Sequence, residues 1–93
     1  MLTLSKTKKF KKDLKRELKG AHKVYLQQDL TVILTLLLDD ATLPERYQDH
    51  PLSGDWKDCR DAHLLPDLVL IYRKVGIDKL ELVRLGSHSE LSL

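Results

Sequence analysis

Apolar residues in the first half of the chain recur every three or four positions, which is the period of an amphipathic helix. The first stripe predicts a helix from about residue 5 to residue 19, with Ser5 as its N-cap and Gly20 at its end. The second stripe predicts a helix from about residue 24 to residue 40. Its apolar surface is broad enough to be covered on two sides, by the chain itself or by a partner. The stripes comprise Phe10, Leu14, Leu18 and Ala21 in the first helix, and Leu26, Leu30, Ile33, Leu34 and Leu37, widened by Val32, Leu36 and Leu38, in the second.

The second half of the chain changes to short apolar and β-branched runs bounded by turn residues. Three runs predict strands, namely WKDCRDA (Trp56–Ala62), LVLIYRK (Leu68–Lys74) and KLELVRL (Lys79–Leu85), and a tight hairpin at residues 76–78 joins the last two. The opening MLTL is a candidate for a fourth strand at the sheet edge. We therefore expect an α+β fold in which two N-terminal helices pack on one face of a small antiparallel sheet, and the other face is free for a ligand.

Length and composition fit one globular domain that spans residues 1–93, with 42% apolar and 32% charged residues. The longest apolar stretch, Val32–Leu38, is far shorter than the roughly 20 residues that span a membrane, and no signal-type segment follows the basic N-terminus. We therefore expect a cytoplasmic protein that does not bind a membrane. The single cysteine, Cys59, excludes an intramolecular disulfide and a cysteine-rich zinc site, and we expect it to be half-buried in a strand.

Positive charge is concentrated in the first quarter of the chain. Residues 1–25 contain nine Lys or Arg and two acidic residues, whereas residues 26–93 contain seven and twelve. Such a block attracts phosphate-bearing partners over a long range, although many basic blocks are only solvated helix faces. The lysines that form it include Lys6, Lys8, Lys9, Lys11, Lys12 and Lys15.

Five charged or proton-handling residues are predicted at neighbouring strand ends, where they can meet along one edge of the sheet. The segment DHPLSGDWKDCRDAH, residues 49–63, is unusually rich in such groups. Cleavage of RNA without a metal requires a base for the 2′-hydroxyl, an acid for the departing 5′-oxygen and a cation for the phosphate. Histidine and aspartate supply the first two roles, and the planar guanidinium of arginine supplies the third. The five residues are His50, His63, Asp67, Arg84 and His88, and His22, between the predicted helices, is the histidine outside this set.

The sequence alone leaves the five residues two alternative roles, as metal ligands or as ordinary structural residues. Histidines and an aspartate could hold zinc, but spacings of 13 residues (His50 to His63) and 25 residues (His63 to His88) match no common zinc motif. A neighbouring arginine would also repel a metal ion. Taken singly, a histidine is more often a structural or surface residue than a catalytic one. We expect neither a metal nor a cofactor.

The stretches LPERYQDHPLSGDWKDCRDAHLLPDLVLIYR and LVRLGSHSEL combine the motifs D-H-P-L, G-x-W-K, R-D-x-H, P-D and G-S-H. In this combination the sequence resembles the YafQ branch of the RelE-like toxins, the toxin halves of bacterial type II toxin–antitoxin pairs. The resemblance spans the whole chain, including the lysine-rich first helix, and implies a RelE-like microbial RNase fold.

The resemblance implies an endoribonuclease that enters the ribosomal A site, cleaves translated mRNA without a metal, and is blocked by a cognate antitoxin. The family's functional positions fall on the five residues named above, with His88 and either Asp67 or His50 transferring protons in an undetermined order and His63 in support. The lysine block would bind ribosomal RNA, and DNA would be contacted only through the antitoxin complex.

Two positions depart from the pattern of the family. Leu68 and Leu91 stand where aromatic residues are usual. We expect both to wall the substrate pocket, and their smaller contact with a base to change affinity and codon preference.

The alternative to an enzyme is a non-catalytic module of the same fold that holds RNA or a protein through its basic helix and histidine face. A DNA-binding regulator is disfavoured because the sequence shows no helix-turn-helix pattern with a reading helix.

Overall fold

The computed structural model describes residues 1–20 and 23–93, so the predictions made for Ala21 and His22 lie outside the described residues. Within these ranges the chain forms five strands and two α-helices, with two single-turn 3-10 helices at Glu45–Tyr47 and Gly54–Trp56. The elements follow in the order β1 (Thr3–Lys6), α1 (Lys8–Leu18), α2 (Lys23–Leu38), β2 (His50–Pro51), β3 (Arg60–Leu65), β4 (Leu68–Val75) and β5 (Lys79–Gly86).

The sheet has the strand order β1-β5-β4-β3-β2. β2, β3, β4 and β5 pair antiparallel, whereas β1 pairs parallel with β5, from Thr3 opposite Lys79 to Lys6 opposite Leu82. The predicted α+β architecture and the edge strand at the N-terminus are confirmed, but the sheet is mixed rather than wholly antiparallel. No hairpin joins β1 to β5, which lie at opposite ends of the chain, so no tight turn forces them to run antiparallel.

The first helix begins later than the sequence pattern predicts. Its N-cap is Thr7, whose Oγ1 accepts a hydrogen bond from the Phe10 N–H at 3.0 Å and donates to the Val83 carbonyl at 2.7 Å. Ser5, the predicted cap, lies in β1. Within α1 the predicted apolar stripe is confirmed, with Phe10 fully buried and Leu14 and Leu18 partly buried against the core.

The second helix contributes three buried residues, Leu26, Ile33 and Leu37, to the core between the helices and the sheet. The other leucines of its predicted stripe are partly buried, and Val32 is 40% exposed. The widened part of the stripe is therefore only partly covered. No helix in residues 1–20 and 23–93 has the length and apolar character needed to cross a membrane.

The first central strand is shifted towards the C-terminus relative to its prediction at Trp56–Ala62. Residues 54–56 form a 3-10 turn, and Asp58 adopts a left-handed conformation with φ of 72°. The strand β3 begins after this turn, at Arg60. Cys59 is buried just before β3 rather than half-buried within a strand, and burial raises the pKa of its thiol.

The face of the sheet opposite the helices is not free over its whole area. Side chains alternate along β4, so that Leu70 and Tyr72 join the helix-side core while Val69 and Ile71 face the other way. On that second face a small apolar cluster covers the centre of the sheet, and the Trp56 indole N–H donates to the Leu91 carbonyl at 3.0 Å. The cluster buries Cys59, Val69, Ile71 and Leu91, with Leu52, Trp56 and Val83 packed against it.

A buried carboxylate joins α1 to β5. Asp13 is 3% exposed and accepts hydrogen bonds from Arg84 Nε at 2.7 Å, the Leu85 N–H at 3.0 Å and Arg16 Nη1 at 3.1 Å. Burial alone would raise the pKa of the Asp13 carboxyl, but these bonds and the two guanidinium charges outweigh it and hold the pKa below its usual value. Because the charge is compensated on three sides, Asp13 fixes α1 against β5.

Candidate active site

Three imidazoles meet on one side of the second sheet face, next to the apolar cluster. His63 lies in β3 opposite Val69, so it shares the face of Val69 and Ile71. The ring centroid of His63 is 6.1 Å from that of His50 and 5.1 Å from that of His88, both in edge-on arrangements. The predicted convergence of the three histidines is therefore present in the structure.

His88 is held by the carboxylate of Asp67. Asp67 Oδ1 accepts the backbone N–H of His88 at 3.0 Å and lies 2.7 Å from its ring Nδ1. These two hydrogen bonds lower the pKa of the Asp67 carboxyl. Because an ionised carboxylate can only accept, Nδ1 of His88 carries the hydrogen, and Nε2 is the nitrogen left for a ligand.

His50 is oriented by a backbone carbonyl. Its Nδ1 lies 2.7 Å from the carbonyl oxygen of Gln48, which adopts a left-handed conformation with φ of 50°. Since a carbonyl only accepts, Nδ1 of His50 also carries its hydrogen. Nε2 of His50 is consequently an acceptor in the neutral ring, which is the state that a general base requires.

Asp61 is a site residue that the sequence pattern did not indicate. It is 2% exposed and pairs directly with His50 across β2 and β3. Its Oδ1 lies 2.9 Å from His50 Nδ1, and its Oδ2 lies 3.8 Å from His63 Nε2. The only sequence signal was its place two residues before His63, which in a strand puts both side chains on one face.

The Asp61 carboxylate is poorly satisfied. The single Nδ1 hydrogen of His50 is directed to Gln48, so Asp61 Oδ1 is buried without a hydrogen-bond partner among the described residues even though the imidazole is near. Burial raises the pKa of the Asp61 carboxyl, and the positive charge available on His50, His63 and His88 only partly opposes this effect. Asp61 is thus costly to bury as an anion.

A shallow cleft of about 490 Å³, with polar and apolar residues in its lining, opens beside the imidazole cluster. The catalytic candidates His63 and His88 line it. The other lining residues are Arg46, Gln48, Leu64, Leu65 and Pro66.

A second, mainly apolar cavity of about 470 Å³ lies on the other side of Asp67. Leu65 and Pro66 line both spaces, so the Asp67–His88 pair forms the ridge between them. Leu68, predicted as a wall of the substrate pocket, lines this cavity, and so does Tyr25, which is 60% exposed on α2.

The structure separates two predicted site residues from this arrangement. Arg84 Nε and Nη2 both contact the Asp13 carboxylate, at 2.7 and 3.3 Å, so its fork is occupied rather than free to hold a phosphate. Arg84 also lies two strands from Asp61, roughly 10 Å across the sheet. Leu91 is 1% exposed within the apolar cluster, so it cannot wall a pocket.

The basic block is exposed along β1 and α1. All six lysines named from the sequence are solvent-exposed, whereas the two acidic residues of α1, Asp13 and Glu17, are turned to the protein or pair with Arg16. The exposed surface of α1 therefore retains a net positive charge. In the described parts of the chain, no group of three or more His, Cys, Asp or Glu side chains is placed to hold a metal ion.

Comparison with known proteins decides the family. A family model described as the bacterial toxin of type II toxin–antitoxin system, YafQ, matches residues 2–93. The chain belongs to the YafQ toxin family. It is 46% identical over 63 residues, 67% of each chain, to a protein of Escherichia coli strain K12 named mRNA interferase toxin YafQ.

Two solved structures resemble this YafQ-family chain over nearly its whole length. The toxin in the E. coli DinJ–YafQ complex is 36% identical with a TM-score of 0.83, and the alignment covers 98% of both chains. A metal-bound toxin from Helicobacter pylori is 44% identical with a TM-score of 0.86, covering 98% of this chain and 99% of that one.

Neutralising Asp61 should make this YafQ toxin more stable. At pH 8, where imidazoles are generally neutral, D61N removes a buried charge without a hydrogen bond and should raise the free energy of unfolding by about 1–3 kcal/mol. Because the folded-state pKa of Asp61 is raised, the charge lowers stability above that pKa. The gain in unfolding free energy from D61N should therefore shrink as the pH falls towards about 3.9, the pKa of an aspartate in the unfolded chain.

Urea unfolding of wild type and D61N at several pH values measures this difference. D49N is the matched control. Asp49 accepts hydrogen bonds from Tyr72 Oη at 2.6 Å and Arg60 Nε at 3.0 Å, so the same substitution there should destabilise the protein. A D61N variant that is less stable than wild type at pH 8 would contradict the electrostatic description of Asp61.

Proposed function

We propose that this YafQ-family toxin is a metal-independent endoribonuclease that cleaves mRNA by attack of the RNA 2′-hydroxyl on the adjacent phosphate. The observation that carries the proposal is the meeting of His50, His63 and His88 beside one cleft, with His88 hydrogen-bonded to Asp67. The mRNA interferase name of the E. coli relative supports the same reaction. The proposed toxin domain comprises residues 1–93.

Two imidazoles with accessible ring nitrogens are enough for the proton transfers. One removes the 2′-hydroxyl proton, and the other gives a proton to the departing 5′-oxygen. After cleavage the first imidazole therefore carries the additional proton and the second has lost one. His88, whose ring is oriented by the Asp67 carboxylate, is one member of this pair. His50 is the candidate for the other because its acceptor nitrogen is set by Gln48, and His63 between them carries or relays charge.

The apolar cavity beside Asp67 is the proposed place for a base of the substrate. A nucleobase attached to the reacting ribose must lie within a few ångströms of the group that handles its 2′-hydroxyl. The cavity adjoins Asp67, and Leu68 and Tyr25 offer apolar and aromatic surface to a base. Glu17, Asp67 and Glu90 also line it, so a neutral base fits this space better than a phosphate.

The proposed setting is the ribosomal A site in the cytoplasm, where the exposed lysines of β1 and α1 contact ribosomal RNA phosphates. Phosphate contacts of this kind position a protein without reading sequence. A cognate antitoxin is the proposed inhibitor, in line with the DinJ–YafQ complex of the E. coli relative. Contact with operator DNA would then be made through the antitoxin.

Removing the imidazole of His88 should abolish toxicity. Expression of the intact toxin should arrest growth, whereas H88A should not, because loss of a general acid or base slows cleavage by about 10²- to 10⁴-fold. Cleavage of an mRNA in a purified translation system checks the rate directly. S89A, an exposed neighbour in the same turn, serves as the matched control and should behave as wild type. Equal growth effects of wild type and H88A would favour the non-catalytic binding module.

Ribosome binding should depend steeply on salt through the lysine block. Each lysine that contacts a phosphate contributes about 0.7–0.9 to the slope of log binding constant against log salt concentration. Changing Lys8, Lys11 and Lys15 together to Gln should therefore flatten the slope by about 2. The same change at Lys57, Lys74 and Lys79, outside β1 and α1, should leave it near the wild-type value. Equal slopes for the two triple variants would refute binding through this block.

A further inference from the structure

We infer that Arg46, on the 3-10 turn before β2, supplies the cation that binds the scissile phosphate. This inference rests on the proposed cleavage reaction. Attack by the 2′-hydroxyl places an additional negative charge on the phosphorus oxygens, and a fixed cation within hydrogen-bond reach of them lowers the barrier. The imidazole cluster provides proton transfer, but none of its members carries a permanent charge.

Arg84 is not available for this task in the structure. Its Nε and Nη2 point to Asp13, and the charge of the guanidinium compensates a carboxylate that is 3% exposed. Releasing Arg84 to a substrate would leave Asp13 with less compensation in a buried position, which is strongly destabilising. The structure thus gives Arg84 the role of holding α1 against β5.

Arg46 faces the cleft that His63 and His88 also line. Of the residues that line this cleft in the described parts of the chain, Arg46 is the one with a permanent charge. Arg46 is exposed and takes part in none of the ion pairs found within those parts. Its charge is therefore uncompensated at the place where the substrate phosphate must lie for His63 or His88 to reach it.

The guanidinium of Arg46 is also held in place. Its Nη2 donates to Tyr47 Oη at 2.8 Å, and its Cζ lies 4.8 Å from the centroid of the Tyr47 ring, a cation–π distance. Tyr47 is 2% exposed and so forms a fixed support. Only one of the five guanidinium N–H groups is used by this contact, which leaves donors for two phosphate oxygens.

The backbone ties Arg46 to the imidazole cluster. The turn Glu45–Tyr47 ends at Gln48, whose left-handed conformation redirects the chain and whose carbonyl orients His50. Arg46 and His50 are thus separated by one short, hydrogen-bonded segment rather than by a loose loop. A phosphate bound by Arg46 would lie in the cleft that His63 and His88 line.

Substitution of Arg46 tests this assignment. In single-turnover cleavage of ribosome-bound mRNA, R46A should slow the chemical step by about 10²- to 10³-fold, as expected for loss of one donor to a developing oxyanion. R46K should recover part of the rate, because it keeps the charge but loses the planar fork. R73A is the matched control, since Arg73 is half-exposed and pairs with Glu81 on the sheet, and should cleave within about twofold of wild type.

Two further measurements separate the possible outcomes. Thermal unfolding should show R84Q more destabilised than R46A, because R84Q removes charge compensation from the buried Asp13 carboxylate, whereas R46A removes one hydrogen bond to Tyr47 Oη. Titration of the free toxin with inorganic phosphate should shift the ring signals of His63 and His88 in wild type, and these shifts should be lost in R46A.

R46A with normal single-turnover rates and normal phosphate shifts would overturn the assignment. So would a change confined to ribosome affinity with an unaltered rate of the chemical step, because Arg46 would then contact ribosomal RNA only. If wild type itself fails to cleave, the proposed function fails, yet the phosphate titration still reports on Arg46. The two hypotheses can therefore be rejected separately.

Discussion

The register of the three central strands is the constraint on which the candidate active site depends. His63 is opposite Val69, and Val69 is opposite Gly86, so one row across the sheet runs from the β3 imidazole to the segment that leads into His88. Side chains alternate between faces along a strand, and a slip of one residue would bury His63 among the helix-side leucines. The register is secured by Leu70 and Tyr72, which must face the helices to complete the core.

Two buried aspartates show how the fold separates stability from chemistry. Asp13 receives four hydrogen bonds and two cationic charges, and its lowered pKa reflects a carboxylate that supports the packing of α1 on β5. Asp61 is as deeply buried but leaves one oxygen without a partner in the described parts of the chain, and its pKa is raised. Of the two, Asp61 is the one that lies among imidazoles. Poorly compensated charge is thus tolerated beside the groups that we propose transfer protons.

Much of the fold followed from periodicity, because alternation and helical stripes report directly on burial. The cores of α1 and α2, the hairpin between β4 and β5, and the N-terminal edge strand were predicted in this way. The start of β3 was not, because the left-handed backbone of Asp58 depends on local turn geometry rather than on pattern. The parallel pairing of β1 was also not predictable from local sequence, since its partner lies more than 70 residues away.

The residue types in the sequence indicated which side chains form the candidate site, but not which other residues those side chains contact. Chemistry selected His50, His63, Asp67 and His88, and the structure brings them together. Residue type could not show that Asp13, on the first helix, would occupy the guanidinium of Arg84. Nor could it show that the C-terminal turn would bury Leu91, because that contact depends on Trp56 donating to its carbonyl.

The chemical nature of the RNA ends tests the central claim most directly. If paired imidazoles activate the 2′-hydroxyl, cleavage of ribosome-bound mRNA in the presence of a chelator of divalent transition metals should leave 5′-hydroxyl ends. The matching 3′ ends should be 2′,3′-cyclic phosphates or their hydrolysis product. Mass spectrometry of the fragments identifies these groups. Fragments with 5′-phosphate and 3′-hydroxyl ends, or cleavage that stops when the chelator is added, would contradict acid–base catalysis by this cluster.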